Sequence, residues 1–569
     1  MRPPGWEAVS VDDAIAGALA SQLKVRPLTA RILLGRGLGE AAVAAKFLAP
    51  RLADLRPPEG MADLAKALDR LVAALAAGET LGVFGDYDVD GVTTAAVLAS
   101  ALRALGGRVV ARCASRDAGY GLGVQDVERF DADGCRVLVT GDLGTSDHEA
   151  LRAARGRGLD VIVIDHHQLP EGESEAFALI NPRRPDDAFP FKGLASCGVA
   201  FYLAAALRTR LRDRFPAFDP RELLDLVALG TIADIVPLVD ENRVLVAHGL
   251  RVLGARKRPA IAALAAKAEL AEGAITAHDV GFRLAPRLNS AGRMGEAQLA
   301  LDLLLAPDAA TAARLVEELE DRNAQRQRIQ ELVWTEALVD AAELEAEAAI
   351  VVGRDGWHPG VVGIVAARLV DRYARPVVVV GFRGEEGRGS ARTVPGFDLF
   401  AALSRASAPL SRFGGHAAAA GMSVSPGNLD AFRRLFVAAI REQATGGPRP
   451  AMRVDAVVEL GDLDVPFAEE LARLQPFGAA NAEPLFAVRG VTTQATRRVG
   501  QGHLQLTLMD GGAIAEAIAF GMADRDPGTG AAVDLLATAE LDTFRGARRA
   551  RLKVRHLFPH GQAAAAIPD

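Results

Sequence analysis

Three alternating aspartates, Asp86, Asp88 and Asp90, are the residues in this sequence best suited to chemistry. They stand between a short apolar run, residues 81–84, and a longer apolar run, residues 92–105. The first run is predicted to be a strand and the second a helix, which places the carboxylates at the carboxyl edge of a sheet, where open α/β sheets bind ligands. Carboxylates this close repel one another, so a divalent cation is the natural reason to collect them.

The same spacing begins the EF-hand calcium loop, which is an alternative for this segment. With Asp86 as position 1, the bidentate glutamate of that loop would fall at position 12, where this chain has Val97. The segment also runs directly into an apolar helix where further oxygen ligands are needed. The spacing therefore excludes an EF-hand, while a solvated acidic turn stays open on this segment alone.

Further Asp and His residues follow predicted strands elsewhere in the chain. Residues 137–140 and 161–164 read as short buried strands, and an apolar run at residues 227–238 contains one aspartate. A single aspartate at a strand end is often a helix cap, but several such positions together are hard to explain by capping. The residues that this pattern adds to the first three aspartates are Asp142, Asp165, His166, His167 and Asp234.

The donor atoms of this set indicate the metal. Carboxylates with one or two imidazoles and no thiolate suit Mn²⁺ or Mg²⁺, and the histidine favours Mn²⁺. Structural zinc is disfavoured because Cys113, Cys135 and Cys197 are scattered and form no CxxC pair. Such a set can hold two ions about 3.5–4 Å apart, which activate water and stabilise the attacking and leaving oxygens at phosphorus. The residues therefore predict phosphoester hydrolysis.

The motifs around these residues resemble those of a known family. Residues 85–91, 140–144 and 165–167 are similar to successive motifs of the DHH phosphoesterase superfamily. Further blocks resemble, in order, those of the bacterial RecJ family of single-strand-specific 5′→3′ exonucleases, at residues 116–121, 196–201, 229–237, 286–295, 357–366, 389–397, 413–421 and 474–484. The resemblance extends over nearly the whole chain.

The resemblance implies a role for each candidate site residue. Asp142 would bridge two ions, Mn²⁺ or Mg²⁺, and the full set of catalytic metal ligands would be Asp88, Asp90, Asp142, His166 and Asp234. His167 would be a further catalytic residue that faces the scissile phosphate and stabilises developing charge. Asp86 and Asp165 would orient the metal ligands rather than bind the ions themselves. The residues expected to anchor substrate, including its 5′ end, are Arg116, Arg293, Ser390, Arg392 and His416.

The length and the apolar patterns predict a multidomain α/β protein, since 569 residues are too many for one core. Residues 1–60 are predicted to be a helical lead-in, and residues 61–307 a DHH domain built on a doubly wound parallel sheet. Residues 308–348 are almost uninterrupted helix, which we interpret as a connection between domains rather than a plain surface helix. A smaller α/β DHHA1 domain is expected at residues 349–443. Short alternating strands in residues 450–560 predict a small β-barrel, which the resemblance identifies as an OB-fold.

Cations alternate with apolar residues near the end of the predicted barrel, which gives a strand one basic face. This face is predicted to bind the phosphates of a single strand. The alternative is an edge strand guarded by charge. The residues concerned are Arg548, Arg549, Arg551, Lys553 and Arg555.

Charge and composition limit the remaining possibilities only weakly. The net charge of −7, from 65 basic and 72 acidic side chains, is not the global footprint of a nucleic-acid-binding protein, but local basic surfaces can still bind phosphates. No apolar run approaches the ~18 residues of a membrane span. Three cysteines without an evident pairing favour the reducing cytoplasm.

The resemblance implies a metal-dependent 5′→3′ exonuclease that degrades single-stranded DNA to 5′-mononucleotides in recombination and repair. It also implies work alongside a helicase and a single-strand-binding protein, and we expect a monomer. One alternative is a DHH phosphodiesterase of short RNA or cyclic dinucleotides, or a pyrophosphatase; such proteins are generally shorter and lack the barrel. The other is a non-catalytic DNA-binding scaffold, a kind of protein that usually loses the ligands.

Overall fold

The N-terminal segment packs against the far end of the chain. In this computed structural model the described residues are 6–116, 119, 121–170, 172–444, 452–542 and 548–561. A strand comes first and three helices follow: β1 (Trp6–Ala8), α1 (Asp13–Leu23), α2 (Pro27–Gly35) and α3 (Ala41–Leu48). Strand β1 pairs in parallel with the strand Met452–Val454, and the helices share a core with the C-terminal barrel. The segment predicted to be a helical lead-in is thus physically part of the C-terminal unit.

A five-stranded, wholly parallel sheet forms the centre of the next unit, in the order β3-β2-β4-β5-β6. Its strands are β2 (Thr80–Gly85), β3 (Arg108–Cys113), β4 (Cys135–Gly141), β5 (Asp160–Ile164) and β6 (Ala178–Ile180). Its helices are α4 (Leu64–Ala77), α5 (Val89–Ala104), α6 (Val124–Ala132), α7 (His148–Gly156) and α8 (Ser196–Leu211). Helices α4, α5 and α8 cover one face of the sheet, and α6 and α7 cover the other. The predicted doubly wound sheet is confirmed.

A helical layer completes this unit and leads to the second domain. Its members are α9 (Leu224–Ala233), α10 (Asp240–Gly254), α11 (Pro259–Lys267), α12 (Ala277–Asp279), a π-helical turn (Val280–Leu284), α13 (Ala285–Arg293) and α14 (Ala297–Leu304). The long helix α15 (Ala309–Ala342) begins at Asp308, whose side chain accepts a hydrogen bond from the Thr311 amide. Helix α15 contacts α11, α13 and α14 on one side and the second domain on the other, as a connecting helix should.

The second domain is a smaller mixed sheet in the order β10-β11-β9-β8-β7, of which only the pair β7–β8 is parallel. Its elements are β7 (Ile350–Asp355), α16 (Pro359–Tyr373), β8 (Val377–Arg383), β9 (Glu386–Arg392), α17 (Leu399–Arg405), β10 (Leu410–Gly415), β11 (Ala419–Val424) and α18 (Leu429–Ala444). Helices α15 and α16 cover one face, and α17 and α18 cover the other.

A closed barrel ends the chain, since β14 pairs with both β15 and β17. The elements of this unit are β12 (Met452–Val454), β13 (Ala456–Val458), α19 (Val465–Ala472), β14 (Phe486–Val499), β15 (His503–Asp510), β16 (Ala513–Ala519), β17 (Ala532–Asp542) and β18 (Arg549–Pro559). The five barrel strands follow the order β14-β15-β16-β18-β17. The predicted OB-type barrel is confirmed, and β18 is an interior strand of it rather than an edge.

One buried arginine joins the N-terminal segment, the DHH unit and the barrel unit. Arg243 of α10 donates hydrogen bonds to the carbonyl oxygens of Phe47 (2.9 Å), Leu474 (2.9 Å) and Arg473 (3.1 Å). Its guanidinium also lies over the Phe47 ring, 3.7 Å from the centroid. These three parts of the chain therefore meet at a single side chain.

None of the helices in the described part of the chain has the length and apolar character needed to cross a membrane.

Candidate active site

The carboxyl edge of the parallel sheet collects the predicted Asp and His residues. Asp86 follows β2, Asp88 caps α5 by accepting a hydrogen bond from the Gly91 amide at 3.0 Å, and Asp90 lies in the first turn of α5. The Asp90 carboxylate accepts hydrogen bonds from the amides of Ser196 (2.8 Å) and Cys197 (3.0 Å) at the start of α8. Because a helix N-terminus favours negative charge, α8 orients the Asp90 side chain and offsets part of the cost of burying its charge.

Asp142 follows β4 and adopts a left-handed backbone conformation with φ 66°. This conformation is uncommon for residues other than glycine, and aspartate tolerates it better than most. The Ser196 hydroxyl donates a hydrogen bond to Asp142 Oδ1 at 3.0 Å. Helix α8 therefore supports both Asp90 and Asp142.

The segment after β5 holds a rigid pair formed by Asp165 and His167. Asp165 Oδ1 accepts hydrogen bonds from the amides of His166 (2.7 Å) and His167 (3.1 Å) and lies 2.7 Å from His167 Nδ1. The amide of Thr145 adds a bond to Asp165 Oδ2 at 3.3 Å. The imidazole of His167 is thus oriented by a buried carboxylate.

Three groups of side chains at this edge could each hold a cation. In each group the candidate ligand atoms lie within 4.8 Å of one another: Asp86 with Asp88 and Asp142; Asp142 with His166 and His167; and Asp90 with His166 and Asp234. His166 Nε2 is 3.3 Å from Asp142 Oδ1 and 3.5 Å from Asp234 Oδ2. Asp142 and His166 each belong to two groups, which is the arrangement expected of residues between two neighbouring ions.

Buried polar atoms test whether a metal fits this site. Three buried atoms have no hydrogen-bond partner among the described residues. They are the two ring nitrogens of His166 and Asp86 Oδ1. Burying polar atoms without partners is costly, and a cation would satisfy them. An oxygen-rich set with one imidazole suits Mn²⁺ or Mg²⁺. The residues fit a two-metal centre. Asp86 is as well positioned to bind a cation there as the predicted ligands are.

The electrostatics of the carboxylates also indicate that this site binds cations. Burial and the charges of neighbouring aspartates raise the pKa of Asp86 and of Asp234 to about 8. Burial raises the pKa of Asp90, and burial with the Asp90 and Asp88 charges raises that of Asp142 well above its usual range. Ionised together without a counter-charge, these groups would repel one another, so cations are needed to hold them as carboxylates.

The histidine pair divides into a neutral and a charged imidazole. Burial lowers the pKa of His166, which leaves it neutral and able to bind a metal. Burial also opposes protonation of His167, but its hydrogen bond to Asp165 outweighs this effect and raises the pKa to about 9. For Asp165, burial is outweighed by the same bond, which lowers the pKa to about 2.

The metal-free protein should lose stability as the pH rises from 6.5 to 9. In this window the folded state gives up protons from Asp86 and Asp234 (pKa about 8) and from His167 (pKa about 9). The unfolded chain has already lost them, since ordinary values are 3.8 for Asp and 6.5 for His. We expect the Tm of the EDTA-treated protein to fall across this window, and the Tm of the Mn²⁺-loaded protein to change less.

Two substitutions control this measurement. Asp234→Asn should make the fall in Tm of the metal-free protein shallower, whereas Asp510→Asn, at an exposed position on the barrel, should leave it unchanged. Equal slopes for the metal-free wild type and Asp234→Asn would contradict the electrostatic account.

A cluster of four arginines lies where the two domains meet. The cluster consists of Arg116, Arg293, Arg326 and Arg392. Burial, followed by the charges of the other three, lowers the pKa of Arg293 to about 10. Within the described residues no carboxylate oxygen comes within 4.0 Å of any of them, although the Asp88 charge still acts on Arg293. Concentrated positive charge of this kind attracts anions, and the predicted role of these residues in binding substrate stays a prediction.

Backbone contacts hold this arginine cluster in place. Arg116 Nε donates to the Gly292 carbonyl at 3.2 Å, and its guanidinium lies 4.1 Å from the Tyr87 ring centroid. Arg293 Nη1 donates across the domain boundary to the Gly360 carbonyl at 2.9 Å. The backbone of α13 also runs so close to Tyr87 that a side chain at position 292 would strike the Tyr87 carbonyl, so glycine is required there. The arginine cluster therefore contacts the carboxylate edge through Tyr87, which lies between Asp86 and Asp88.

The other predicted substrate residues lie on the sheet of the second domain. Ser390 and Arg392 are on β9, and both approach Gly363 of α16 closely. His416 follows β10 and is exposed; its amide donates to the carbonyl of Ala419, which pairs with Arg392 across β9–β11. The structure thus brings Arg116, Arg293 and Arg392 together and leaves His416 at the rim of the same sheet.

Each predicted cation of the barrel face lies beside a carboxylate. Arg551 contacts Glu540 (2.6 Å) and Asp542 (3.2 Å), and Lys553 also contacts Glu540. The remaining pairs are Arg548–Glu469, Arg549–Glu516 and Arg555–Glu483. Phosphates would have to compete with these carboxylates, and the proposed role of this face in binding nucleic acid stays a prediction.

Sequence reasoning missed two residues of the site. Ser196 supports two aspartates, but a serine at a helix start looks like an ordinary cap, and only its place in a block of family resemblance singled it out. Arg326 lies in a helix with many other charged side chains, and no local pattern distinguishes it from them. Its role depends on which face of α15 meets the other arginines.

The fold and the site together define a class, that of two-domain DHH–DHHA1 phosphoesterases extended by a barrel. The model of the DHH family N-terminal domain matches residues 80–231, that of the DHHA1 domain residues 346–442, and that of the RecJ OB domain residues 454–556.

Comparison with individual proteins shows which family within this class the chain belongs to. The chain is 34% identical to the single-stranded-DNA-specific exonuclease RecJ of Bacillus subtilis (strain 168), covering 97% of this chain and 70% of that protein. It is 35% identical to the Escherichia coli (strain K12) protein of the same name, covering 94% and 96%. The crystal structure of RecJ in complex with Mn²⁺ from Thermus thermophilus superposes with a TM-score of 0.83 and 32% identity, over 97% of this chain and 79% of that one. The chain belongs to the RecJ family.

Proposed function

We propose that this chain is a metal-dependent exonuclease that hydrolyses single-stranded DNA from its 5′ end and releases 5′-mononucleotides. The observation that carries the proposal is the joining of two sites: carboxylates and a histidine suited to two cations, and an arginine cluster whose charge reaches the same carboxylates. The first suits phosphoester hydrolysis, and the second suits a terminal phosphate. Their proximity sets where a strand end must lie.

We assign the metal ligands as Asp88, Asp90, Asp142, His166 and Asp234, with Asp86 beside them. Two divalent cations held there would lower the pKa of a water molecule and offset charge that develops on the phosphate oxygens. Their identity as Mn²⁺ or Mg²⁺ is supported by the donor set and by a relative, RecJ of Thermus thermophilus, that was crystallised with each ion.

The side chains around the cations then position the strand. Arg116, Arg293, Arg392, Ser390 and His416 would hold the terminal 5′-phosphate. His167, which Asp165 orients and whose pKa it raises, would place positive charge beside the scissile phosphate. Water adds to phosphorus and O3′ of the first nucleotide leaves with a proton. The shortened strand again begins with a 5′-phosphate, which the same arginines can hold.

The presence of the barrel favours long single strands as the substrate, rather than short RNA or cyclic dinucleotides. Phosphodiesterases of short RNA or cyclic dinucleotides need no such unit, whereas residues 454–556 match the RecJ OB domain. A non-catalytic scaffold has no need to keep the candidate ligands together, as they are kept here. Two named relatives are single-stranded-DNA-specific exonucleases, which agrees with the proposed substrate.

We further propose that the enzyme acts as a monomer in recombination and repair, alongside a helicase and a single-strand-binding protein. Its three cysteines are unpaired, which is consistent with a cytoplasmic location. The domain bounds proposed from the sequence stay at residues 61–307, 349–443 and 450–560, with residues 1–60 before them and 308–348 between the first two.

The proposal is tested by a nuclease assay with Mn²⁺ on long single strands labelled at either end. Duplex DNA, short RNA and cyclic dinucleotides are assayed beside them. Stepwise release of 5′-mononucleotides from the 5′ end of single strands alone is the expected result. Cleavage confined to the short substrates would contradict it in favour of the small-substrate branch, and DNA binding without cleavage would favour the scaffold.

Arg392→Gln should remove the preference for a terminal phosphate. We expect kcat/KM on 5′-phosphorylated strands to fall about 10- to 100-fold, because a hydrogen bond to a charged group is lost. On 5′-hydroxyl strands the fall should be much smaller. The measurement is the ratio of the two kcat/KM values.

Arg388→Gln is the matched control. Arg388 lies on the same strand, β9, but is exposed and lies 3.2 Å from Glu386. Its substitution should leave the ratio unchanged. If Arg392→Gln also keeps the wild-type ratio, the arginine cluster does not hold the 5′ end.

A further inference from the structure

The segment that follows Asp234 has no regular structure and contains a strained residue. Asp234 caps the C-terminus of α9, and residues 235–239, which we call the Asp234 segment, lead from it to α10. Ile235 has φ 59°, a left-handed conformation that is an outlier for a β-branched residue. Such conformations persist only where surrounding contacts hold them. The position of Asp234 therefore depends on what holds the Asp234 segment.

A buried side chain of α10 ties the Asp234 segment to the start of α8. Asn242 is completely buried, and its Nδ2 donates hydrogen bonds to the carbonyl oxygens of Pro237 (2.9 Å) and Gly193 (2.6 Å). Because both partners are acceptors, only the NH₂ end of the amide can face them. Gly193 lies just before α8, which begins at Ser196. Two separate stretches of backbone are thus joined through one amide group.

The two stretches that Asn242 joins support different members of one cation group. The members, whose candidate ligand atoms lie within 4.8 Å of one another, are Asp90, His166 and Asp234. The start of α8 donates two amide hydrogen bonds to Asp90, and the Asp234 segment follows Asp234 directly. Asn242 therefore limits how far Asp234 can move from Asp90.

The asparagine at position 242 also has a disadvantage that an apolar residue would not have. Its Oδ1 is buried and has no hydrogen-bond partner in the part of the chain that the structure describes. A buried acceptor without a partner is destabilising, and a leucine of similar volume would not introduce one. The benefit of an asparagine at this position must therefore lie in its two donated hydrogen bonds.

The barrel unit contacts the Asp234 segment as well. The amide of Leu238 donates to the Ala479 carbonyl at 2.8 Å, and the Leu238 side chain is buried. A Cβ atom at Gly478 would lie only 2.7 Å from Leu238 Cδ1, so the two segments approach closely there. Asn481 fixes this loop, residues 474–482, because its side chain donates to two carbonyls of the loop. The Asp234 segment is therefore held by α10 and by the barrel unit.

We propose that Asn242 and the loop 474–482 position the metal centre from outside, by holding the Asp234 segment so that Asp234 stays at cation-binding distance from Asp90. The inference rests on the proposed function, which assigns both aspartates as metal ligands, and deepens it by naming the residues that keep them together. Groups that orient metal ligands change metal affinity about 10- to 100-fold when they are lost. Asn242 is thus a positioning residue and not itself a ligand.

The test measures the affinity of the full chain for Mn²⁺ without nucleic acid, by electron paramagnetic resonance of the free ion. Asn242→Leu keeps the volume but removes both donors, and should raise the Kd for Mn²⁺ about 10- to 100-fold. Hydrogen exchange of the metal-free variant should be faster in residues 193–197 and 235–239. Hydrolysis should need more Mn²⁺ and recover at saturating Mn²⁺, with the KM for the strand unchanged.

His248→Ala is the matched control on the same helix. His248 Nε2 donates to the Pro50 carbonyl at 3.1 Å, so this change also removes a hydrogen bond from α10 to a backbone carbonyl, but to another part of the chain. It should lower the Tm and leave the Kd for Mn²⁺ unchanged.

A second pair of variants acts from the barrel unit and decides the matter even if Asn242→Leu does not fold. Gly478→Val should displace Leu238 and raise the Kd for Mn²⁺, by less than Asn242→Leu does. Ala482→Val enlarges an exposed position of the same loop and should leave the Kd unchanged.

Wild-type affinity for Mn²⁺ in a folded Asn242→Leu or Gly478→Val protein would overturn the proposal, as would an equal rise of the Kd in His248→Ala. Hydrolysis of single-stranded DNA by the wild-type protein with Mn²⁺ is measured in parallel. A wild-type protein that binds Mn²⁺ but hydrolyses no strand would refute the proposed function. The positioning role is judged on Mn²⁺ affinity alone, so the two failures are distinguishable.

Discussion

Asp142→Asn will abolish hydrolysis without destabilising the metal-free protein. Asp142 is the aspartate shared by two of the three candidate cation groups, so its loss affects both ions. We expect kcat to fall at least about 10³-fold, the upper range for removing one preorganised electrostatic group. The amide oxygen of asparagine can still accept the Ser196 hydroxyl bond, so the fold should persist.

The thermal stability of this variant provides a second, independent test of the metal assignment. Burial and the charges of Asp90 and Asp88 disfavour the Asp142 carboxylate in the empty site. Replacing it with a neutral amide should therefore leave the Tm of the metal-free protein equal to or above that of the wild type. The rise in Tm that Mn²⁺ produces in the wild type should disappear. Thermal melts with EDTA and with Mn²⁺ check both points.

Asp165→Asn is the matched comparison, because Asp165 contacts His167 and belongs to none of the three cation groups. It should lower activity about 10- to 100-fold and keep the Mn²⁺-dependent rise in Tm. An Asp142→Asn protein with wild-type activity would refute the metal assignment.

Arg243→Met will loosen the attachment of the barrel and the N-terminal helices to the DHH unit. The change removes the Arg243 hydrogen bonds from the Phe47 and Arg473 carbonyls and one of the two donors to the Leu474 carbonyl, which keeps Asn481, and it removes the contact with the Phe47 ring. Buried unsatisfied acceptors cost roughly 1–3 kcal/mol each, so we expect the free energy of unfolding to fall by about 3–5 kcal/mol. A lowered Tm and faster amide exchange in α3 and near Leu474 would report it.

Arg251→Met provides the control on the same helix. Arg251 is exposed, and its loss should change the free energy of unfolding by less than about 0.5 kcal/mol. Comparable destabilisation in both variants would mean that α10 itself, rather than the buried contacts of Arg243, was disturbed.

The parallel sheet and its acidic edge could be predicted because both are local in sequence. Each strand is a short apolar run followed at once by Asp or His, and parallel strands bring those ends to one edge. The roles of Asp86 and Ser196 were harder to assign, since they depend on distances of a few ångströms between different loops.

The surroundings of the barrel could not be predicted, because they depend on contacts between distant residues. Alternating cations in β18 indicate a polar face, but not that Glu540 and Glu516 stand beside Arg551 in the neighbouring strands. No pattern near Trp6 indicates that β1 pairs with a strand more than 400 residues later. Arg243 likewise looks like any helical arginine until its three acceptors are known.

The pairing of β1 with β12 also bears on how the protein is made. The apolar faces of α1 to α3 are covered by residues of the barrel, which the ribosome adds only after the whole DHH and DHHA1 units. At roughly 5–20 residues per second, the first helices must wait on the order of tens of seconds for their partners. During that interval the nascent chain exposes an unfinished apolar surface, so a chaperone bound at the ribosome would meet this segment before it meets the DHH unit.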